Sequence, residues 1–298
     1  MKRIISLTLS ILLILTLTLS LCACGKSASP VEDFEYEFND GTVTITGYIG
    51  TDLEIVVPDT IEERPVTVIG EKAFSGYDMT SIVIPEGVTT IEEDAFSSCS
   101  MLENITFPDS LKEIYNGSYS NGISYNIGLD DTKWYDNQAK GLLYIDNILV
   151  DYKGDTETMP TELTIKNGTK CIADSALRNS KNLANVKIPN SVTYIGSYAF
   201  EDCPNLISVN IPNSVTYIGY EAFIGCPNLK SMDIPESVEI IEEHALGYTS
   251  EYDYRSNWTS YKNIEDFEIH GAKDSSAEKY AEENNIIFYL QWWLLSST

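Results

Sequence analysis

Apolar residues recur along this chain with a period of 23 residues. That is far longer than the 3.6 of a helix or the 2 of a strand. The stretch IPNSVTYIGSYAFEDCPNLISVN from Ile188 is followed after 23 residues by IPNSVTYIGYEAFIGCPNLKSMD from Ile211. Weaker copies start at Val57, Ile84, Phe107, Ile165, Ile234 and Ile269, giving about eight coils. Within one copy, Leu206, Val209 and Ile211 carry the apolar alternation of a short strand, and Pro212 ends it. Val215 and Ile218 predict a return along a second side. Ala222-Phe223 predicts a short helical or 3₁₀ turn that plugs the coil, and Cys226 and Leu229 close it. One such coil cannot bury its own apolar face, whereas stacked coils bury it continuously.

The pattern changes at both ends. Residues 34–56 predict an N-terminal hairpin cap with an Asn-Asp-Gly turn at 39–41. Residues 57–270 predict the solenoid and residues 271–298 a helix-strand cap, with Ser275 and Glu278 at capping-box spacing. The period is broken by insertions at about 115–159 and 247–262. Both are rich in aromatics: Trp134 and Tyr135 in the first, Tyr252, Tyr254 and Trp258 in the second. Rings mixed with Asn, Ser and Gly suit an adaptable binding loop, and equally suit a cover for a broken repeat.

The repeat resembles the BspA-type leucine-rich repeat of bacterial surface proteins. That resemblance implies a mainly β solenoid with short parallel strands on a concave face. It also implies an exported, surface-attached protein associated with adhesion. Strand alternation then sets the outward positions of the concave face: Asn185, Lys187, Ser208, Asn210, Ser231, Asp233, Asp266 and Glu268, preceded by Ser81 and Val83. They are short and polar, with acid gathering towards the C-terminus.

Residues 1–23 read as a signal peptide, with Lys2 and Arg3 ahead of an uncharged apolar run. The run ends in Leu21-Cys22-Ala23-Cys24, which resembles the lipobox of bacterial lipoproteins and points to lipidation at Cys24. Residues 24–33 then form a tether. The chain carries 45 Asp+Glu against 19 Lys+Arg, a net charge of −26. Such an excess excludes a nucleic-acid partner, which needs a basic face. It also leaves the lipid as the sole expected membrane attachment.

Catalytic chemistry is absent from the motifs. There are two histidines. His244 falls at a variable repeat position expected to face solvent, and His270 is expected just beyond the last repeat strand. No Cys-x-x-Cys follows the signal, no EF-hand spacing occurs, and no metal or cofactor is expected. Cys99, Cys203 and Cys226 share one repeat position and read as buried thiols. The sequence thus predicts a non-enzymatic surface binder of an extracellular or host protein. The alternatives are a glycan binder or accessory to an exported polysaccharide-degrading enzyme, and a structural spacer.

Overall fold

A computed structural model of the chain describes residues 27–111, 113–114, 127–253 and 258–291. The signal segment, Cys24, Tyr254 and residues 292–298 lie outside the described residues. The side chain of Trp258 does too, although its backbone belongs to a strand.

The chain winds into a β-solenoid of about 10 turns of about 23 residues. The hairpins described below add turns to the eight read from motif starts. Each repeat contributes a rung to two parallel ladders. One ladder has three-residue rungs. Glu54–Val56, Ser81–Val83 and Asn104–Thr106 form a first sheet, and Glu162–Thr164, Asn185–Lys187 and Ser208–Asn210 a second. Ser231–Asp233, Glu268–Gly271 and Ile287–Leu290 form a third. The other ladder has two-residue rungs, such as Cys171–Ile172, Tyr194–Ile195, Tyr217–Ile218 and Ile240–Ile241.

The turn expected at Ala-Phe is built from two successive tight turns. Each carries a left-handed residue: Tyr198 and Asp202 in one coil, Glu221 and Gly225 in the next. Ala199 and Glu201 close the two turns on the carbonyls of Gly196 and Tyr198 at 3.4 and 3.0 Å, and the alternate amides bond to the next coil. Tyr198, Phe200 and Asp202 donate to the carbonyls of Tyr220, Ala222 and Ile224 at 2.9, 2.8 and 2.9 Å. Those amides are therefore satisfied without a helix, which is why the segment does not coil into one. Phe200 and Phe223 stack at 4.8 Å with planes 5° apart, the spacing of one rung.

Thiols at one fixed repeat position donate to three further carbonyls of the neighbouring coils. The Cys203 thiol donates to the Leu177 carbonyl at 3.3 Å and the Cys226 thiol to that of Phe200 at 3.2 Å. The Cys99 thiol does the same to Phe74 at 3.0 Å. All four described cysteines are buried. Burial pushes the Cys99 thiol up to about 11, so it stays protonated and serves as a donor.

Two hairpins start the two halves of the solenoid. Phe34–Asn39 pairs antiparallel with Thr42–Tyr48, which leads in parallel into Arg64–Ile69. Gly141–Ile145 pairs with Ile148–Lys153, which leads in parallel into Cys171–Ile172. The halves meet at residues 127–137. Phe96 N donates to the Ile127 carbonyl at 2.9 Å, and Trp134 N to that of Leu102 at 2.8 Å. The short helix Lys133–Asn137 is N-capped by Thr132. The Lys153 ammonium closes its other end on the carbonyls of Asp136 and Gln138 at 2.8 and 2.9 Å. At the C-terminus, the helix Ser276–Glu283 is capped by Ser275 and buries Ala277, Tyr280 and Ala281.

Candidate binding surface

The three-residue rungs alternate as a half-buried strand must. Val186, Val209 and Met232 point into the core. Lys187, Ser208, Asn210, Ser231 and Asp233 are exposed, and Asn185 is half-buried. In-register pairing aligns Asn185 with Ser208 and Lys187 with Asn210, so like positions form straight rows across the coils. Asn210 also bonds the Ile188 backbone, accepting from its N–H at 3.3 Å. The row therefore has one member committed to holding its neighbouring rung.

The structure corrects the phase of the last repeat rung. Met232 pairs with Ile269 and Asp233 with His270, so Ile269 takes the place of Val209, not of Ile211. The outward pair is Glu268 and His270, and Asp266 sits two residues earlier in a turn with φ of 58°. The reason lies in Gly271, which holds the repeat's usual isoleucine position. A Cβ there would lie 3.1 Å from both Ala277 and Phe288, whose side chains fill that space from the cap. His270 is thus part of the face. Its Nδ1 lies 3.0 Å from Asp233 Oδ1, and its Nε2 lies 3.4 Å from Glu268 Oε2. A second correction concerns Val83, expected outward. It is buried, as is Val56 one rung earlier.

Among the described residues, the aromatics of the insertions are mostly packed. The Trp134 ring meets Phe107 edge-on at 5.9 Å. The Tyr135 hydroxyl donates to Asp151 at 2.5 Å, and burial raises the Asp151 carboxyl above the usual range. The second insertion folds as a hairpin, Tyr248–Asp253 with Trp258–Asn263. Tyr252 is half-buried in it. The hairpin lies over His244, which is consequently not a solvent-facing residue. The His244 ring stacks on Tyr261 at 3.7 Å and meets Tyr248 edge-on at 4.9 Å. Tyr261 donates to the buried Glu221 carboxylate at 2.6 Å. Beside this cluster, Arg178 Nε approaches Glu201 Oε2 to 2.7 Å. Burial outweighs that guanidinium and pushes the Glu201 carboxyl up to about 7.

Neither cluster holds a nucleophile beside a base, and among the described residues no group of His, Cys, Asp and Glu is arranged to hold a metal. The sequence motifs missed the Arg178–Glu201 pair. Its signal was available, since the two residues follow Leu177 and Phe200 at one shared repeat position.

A family model described as a BspA type Leucine rich repeat region matches the chain in six copies, over residues 60–133 and 156–268. Among solved structures the chain is similar to a leucine-rich repeat protein of T. pallidum. The identity is 26%, over 69% of this chain and 81% of that one, with a TM-score of 0.38. A leucine-rich repeat protein of Bacteroides ovatus is 26% identical over 70% of this chain and 60% of that one, TM-score 0.34. A leucine rich cell surface protein of Faecalibacterium prausnitzii is 20% identical over 82% and 88%, TM-score 0.35. No curated protein matches the sequence.

Proposed function

Because the chain belongs to the BspA-type leucine-rich-repeat family, we propose that it is a non-enzymatic binding protein of the bacterial cell surface. In this reading residues 1–23 export it and a lipid on Cys24 anchors it. The partner is an extracellular or host protein, met by the outward rows of the three-residue ladder.

One observation carries the reading. From Asn185 to Asn210 the rows present mostly short, mostly exposed polar side chains on a backbone held by in-register pairing, and the exposed Ser231 and Asp233 follow at the same repeat positions in the adjoining sheet. Such a surface offers hydrogen-bond donors and acceptors at little cost in side-chain entropy. A glycan platform would need open ring faces. Trp134 and Tyr135 are instead half-buried against Phe107 and Asp151, which favours a protein partner.

The test is a screen of soluble residues 27–298 against arrayed extracellular proteins and glycans. Protein hits that weaken at least tenfold in Ser208→Arg/Ser231→Arg support the reading. Glycan hits that survive those changes would overturn it. Cys24→Ala in the full chain should release the protein from the membrane fraction.

A further inference from the structure

We propose that the last rung, Ile287–Leu290, is a docking edge onto which an extended basic segment of a partner protein adds as one more strand. This inference rests on the protein-binding reading and gives it a place and a partner chemistry.

The two ends of the three-residue ladder differ. At the first rung, Ser29, expected in the tether, is instead buried against the solenoid and closes the edge. Its N–H donates to the Val56 carbonyl at 2.8 Å, and its hydroxyl accepts from Val56 N at 3.1 Å. At the other end, Ile287–Leu290 pairs with Glu268–Gly271, and among the described residues no strand lies on its far side. In a parallel ladder alternate residues serve the same neighbour. Gln291 N donates to the Gly271 carbonyl at 2.9 Å, so Ile287 and Tyr289, in the same phase, also serve that inner strand. The peptide groups of Phe288 and Leu290 then face outward, as a template for one further strand.

The side chains around this edge select the occupant. Ile287 and Tyr289 continue the outward rows and are 45% and 50% exposed. They offer an apolar flank where preceding rungs carry polar groups. Next to them stand Asp233 and Glu268, with His270 held between the two. The nearby Lys230 ammonium is committed to the Glu265 carbonyl at 3.0 Å. A groove of about 290 Å³ opens at the same corner, lined by Asp233, Glu236, Ser237 and Gln291 among others. It suits an ammonium or guanidinium head. A second copy of this chain fits poorly, because its net charge of −26 would bring acid onto acid. An extended segment that alternates apolar and basic residues matches both the flank and the charge.

The experiment uses the full chain and three labelled hexapeptides, read by fluorescence anisotropy. The probes are alternating Lys-Val, alternating Glu-Val, and the Lys-Val peptide N-methylated on alternate backbone amides. The Lys-Val peptide should bind. The Glu-Val peptide, the N-methylated peptide and the Ile287→Ser/Tyr289→Ser variant should each bind at least tenfold more weakly. Both substituted positions are exposed, and a melting curve confirms that the variant folds. Equal binding of the methylated and unmodified peptides would overturn strand addition, since charge alone would then suffice. A dimer in sedimentation that Tyr289→Lys dissolves would overturn it in favour of a second copy. Array hits unchanged by Ile287→Ser/Tyr289→Ser would sink the docking edge and leave the protein-binding reading standing. Peptide binding without any array hit would do the reverse.

Discussion

Residues 34–114 and 141–291 are built with one device. An antiparallel hairpin hands its second strand to a parallel two-residue ladder, and each later coil adds a rung. The halves differ in what they show to solvent. At the third position of its three-residue rungs, the first half carries Val56 and Val83, both buried, and then the exposed Thr106. The second half carries Lys187, Asn210 and Asp233, all exposed, then the half-buried His270. The same scaffold carries a buried apolar residue at this position in its first two rungs and polar residues from Thr106 onward. Repetition therefore keeps the frame constant, while the residues carried on this row change from one rung to the next.

The largest effect should come from breaking the contact between the halves. Gly128 sits at φ of 77°, and a Cβ there would lie 2.2 Å from Ser97 N and 2.4 Å from Ser97 Cα. Both neighbours are backbone, so the clash can be relieved only by prising residues 127–137 off the preceding coil. Gly128→Ala should lower unfolding stability by about 4 kcal/mol or more. Gly168 is the control. It too has a positive φ, 93°, but nothing lies within 4 Å of its missing Cβ. Gly168→Ala should cost about 1–2 kcal/mol, the conformational strain alone. Equal denaturation midpoints for the two variants would show that the halves are not in tight contact at Ser97.

A smaller, pH-dependent effect separates the halves at one repeat position. The residue after the coil-plugging Phe or Leu is Ser75 and Ser97 in the first half, whose hydroxyls lie 2.7 Å apart. In the second half it is Arg178 and Glu201, a mostly buried ion pair. The Glu201 carboxyl is raised from 4.5 to about 7 by burial. The folded chain therefore binds this proton more tightly than the unfolded chain. The stability it contributes is fully present below about pH 4.5 and is lost as pH rises through about 7. The loss is up to about 3 kcal/mol. Glu201→Gln should flatten that part of the stability-pH curve, measured by thermal melts from acid to neutral pH. An unchanged slope would mean that Arg178 holds Glu201 ionised throughout.

Much of this architecture was legible because a solenoid repeats its physics with its sequence. The period placed Val209, Ile218, Phe223 and Leu229 in the core, where all four are found. Buried thiols followed from the shared position of Cys99, Cys203 and Cys226. Phase was lost where the repeat is terminated by something other than itself. At Gly271 the usual isoleucine is replaced by space for Ala277 and Phe288, which come from the cap. Without that contact in view, Ile269 reads as the wrong rung position and Asp266 stands in for His270. His244 was misplaced for a similar reason. Its covering ring, Tyr261, belongs to the inserted hairpin, and no repeat comparison reports what an insertion lies on. Cross-coil hydrogen bonds of the turn backbone leave no side-chain signature at all, so a helical turn was the natural reading.

The smallest effect tests whether the second half is the better-stitched one. Asn182, Asn205 and Asn228 precede the coil-closing leucines. Their amides donate to the carbonyls of Met159, Lys181 and Pro204 at 2.6, 2.7 and 2.7 Å. Each bond ties one coil to the one before it. In the first half the same position holds Met101, which is 41% exposed and donates nothing. Asn205→Ala and Asn228→Ala should each cost about 1 kcal/mol, since a hydrogen bond of this kind contributes about that much net. For a chain of this size that corresponds to roughly 2 °C in melting temperature. Met101→Asn should move the other way by a similar or smaller amount. By the offset of its sister coils its amide would reach the Tyr77 carbonyl, two residues before Met79, while the exposed methionine it replaces contributes little burial. If Met101→Asn stabilises the chain, the difference between the halves at this position is one of missing stitches on a common frame. If it is neutral while Asn205→Ala is costly, the first half holds its coils together by other means, and the frames themselves differ.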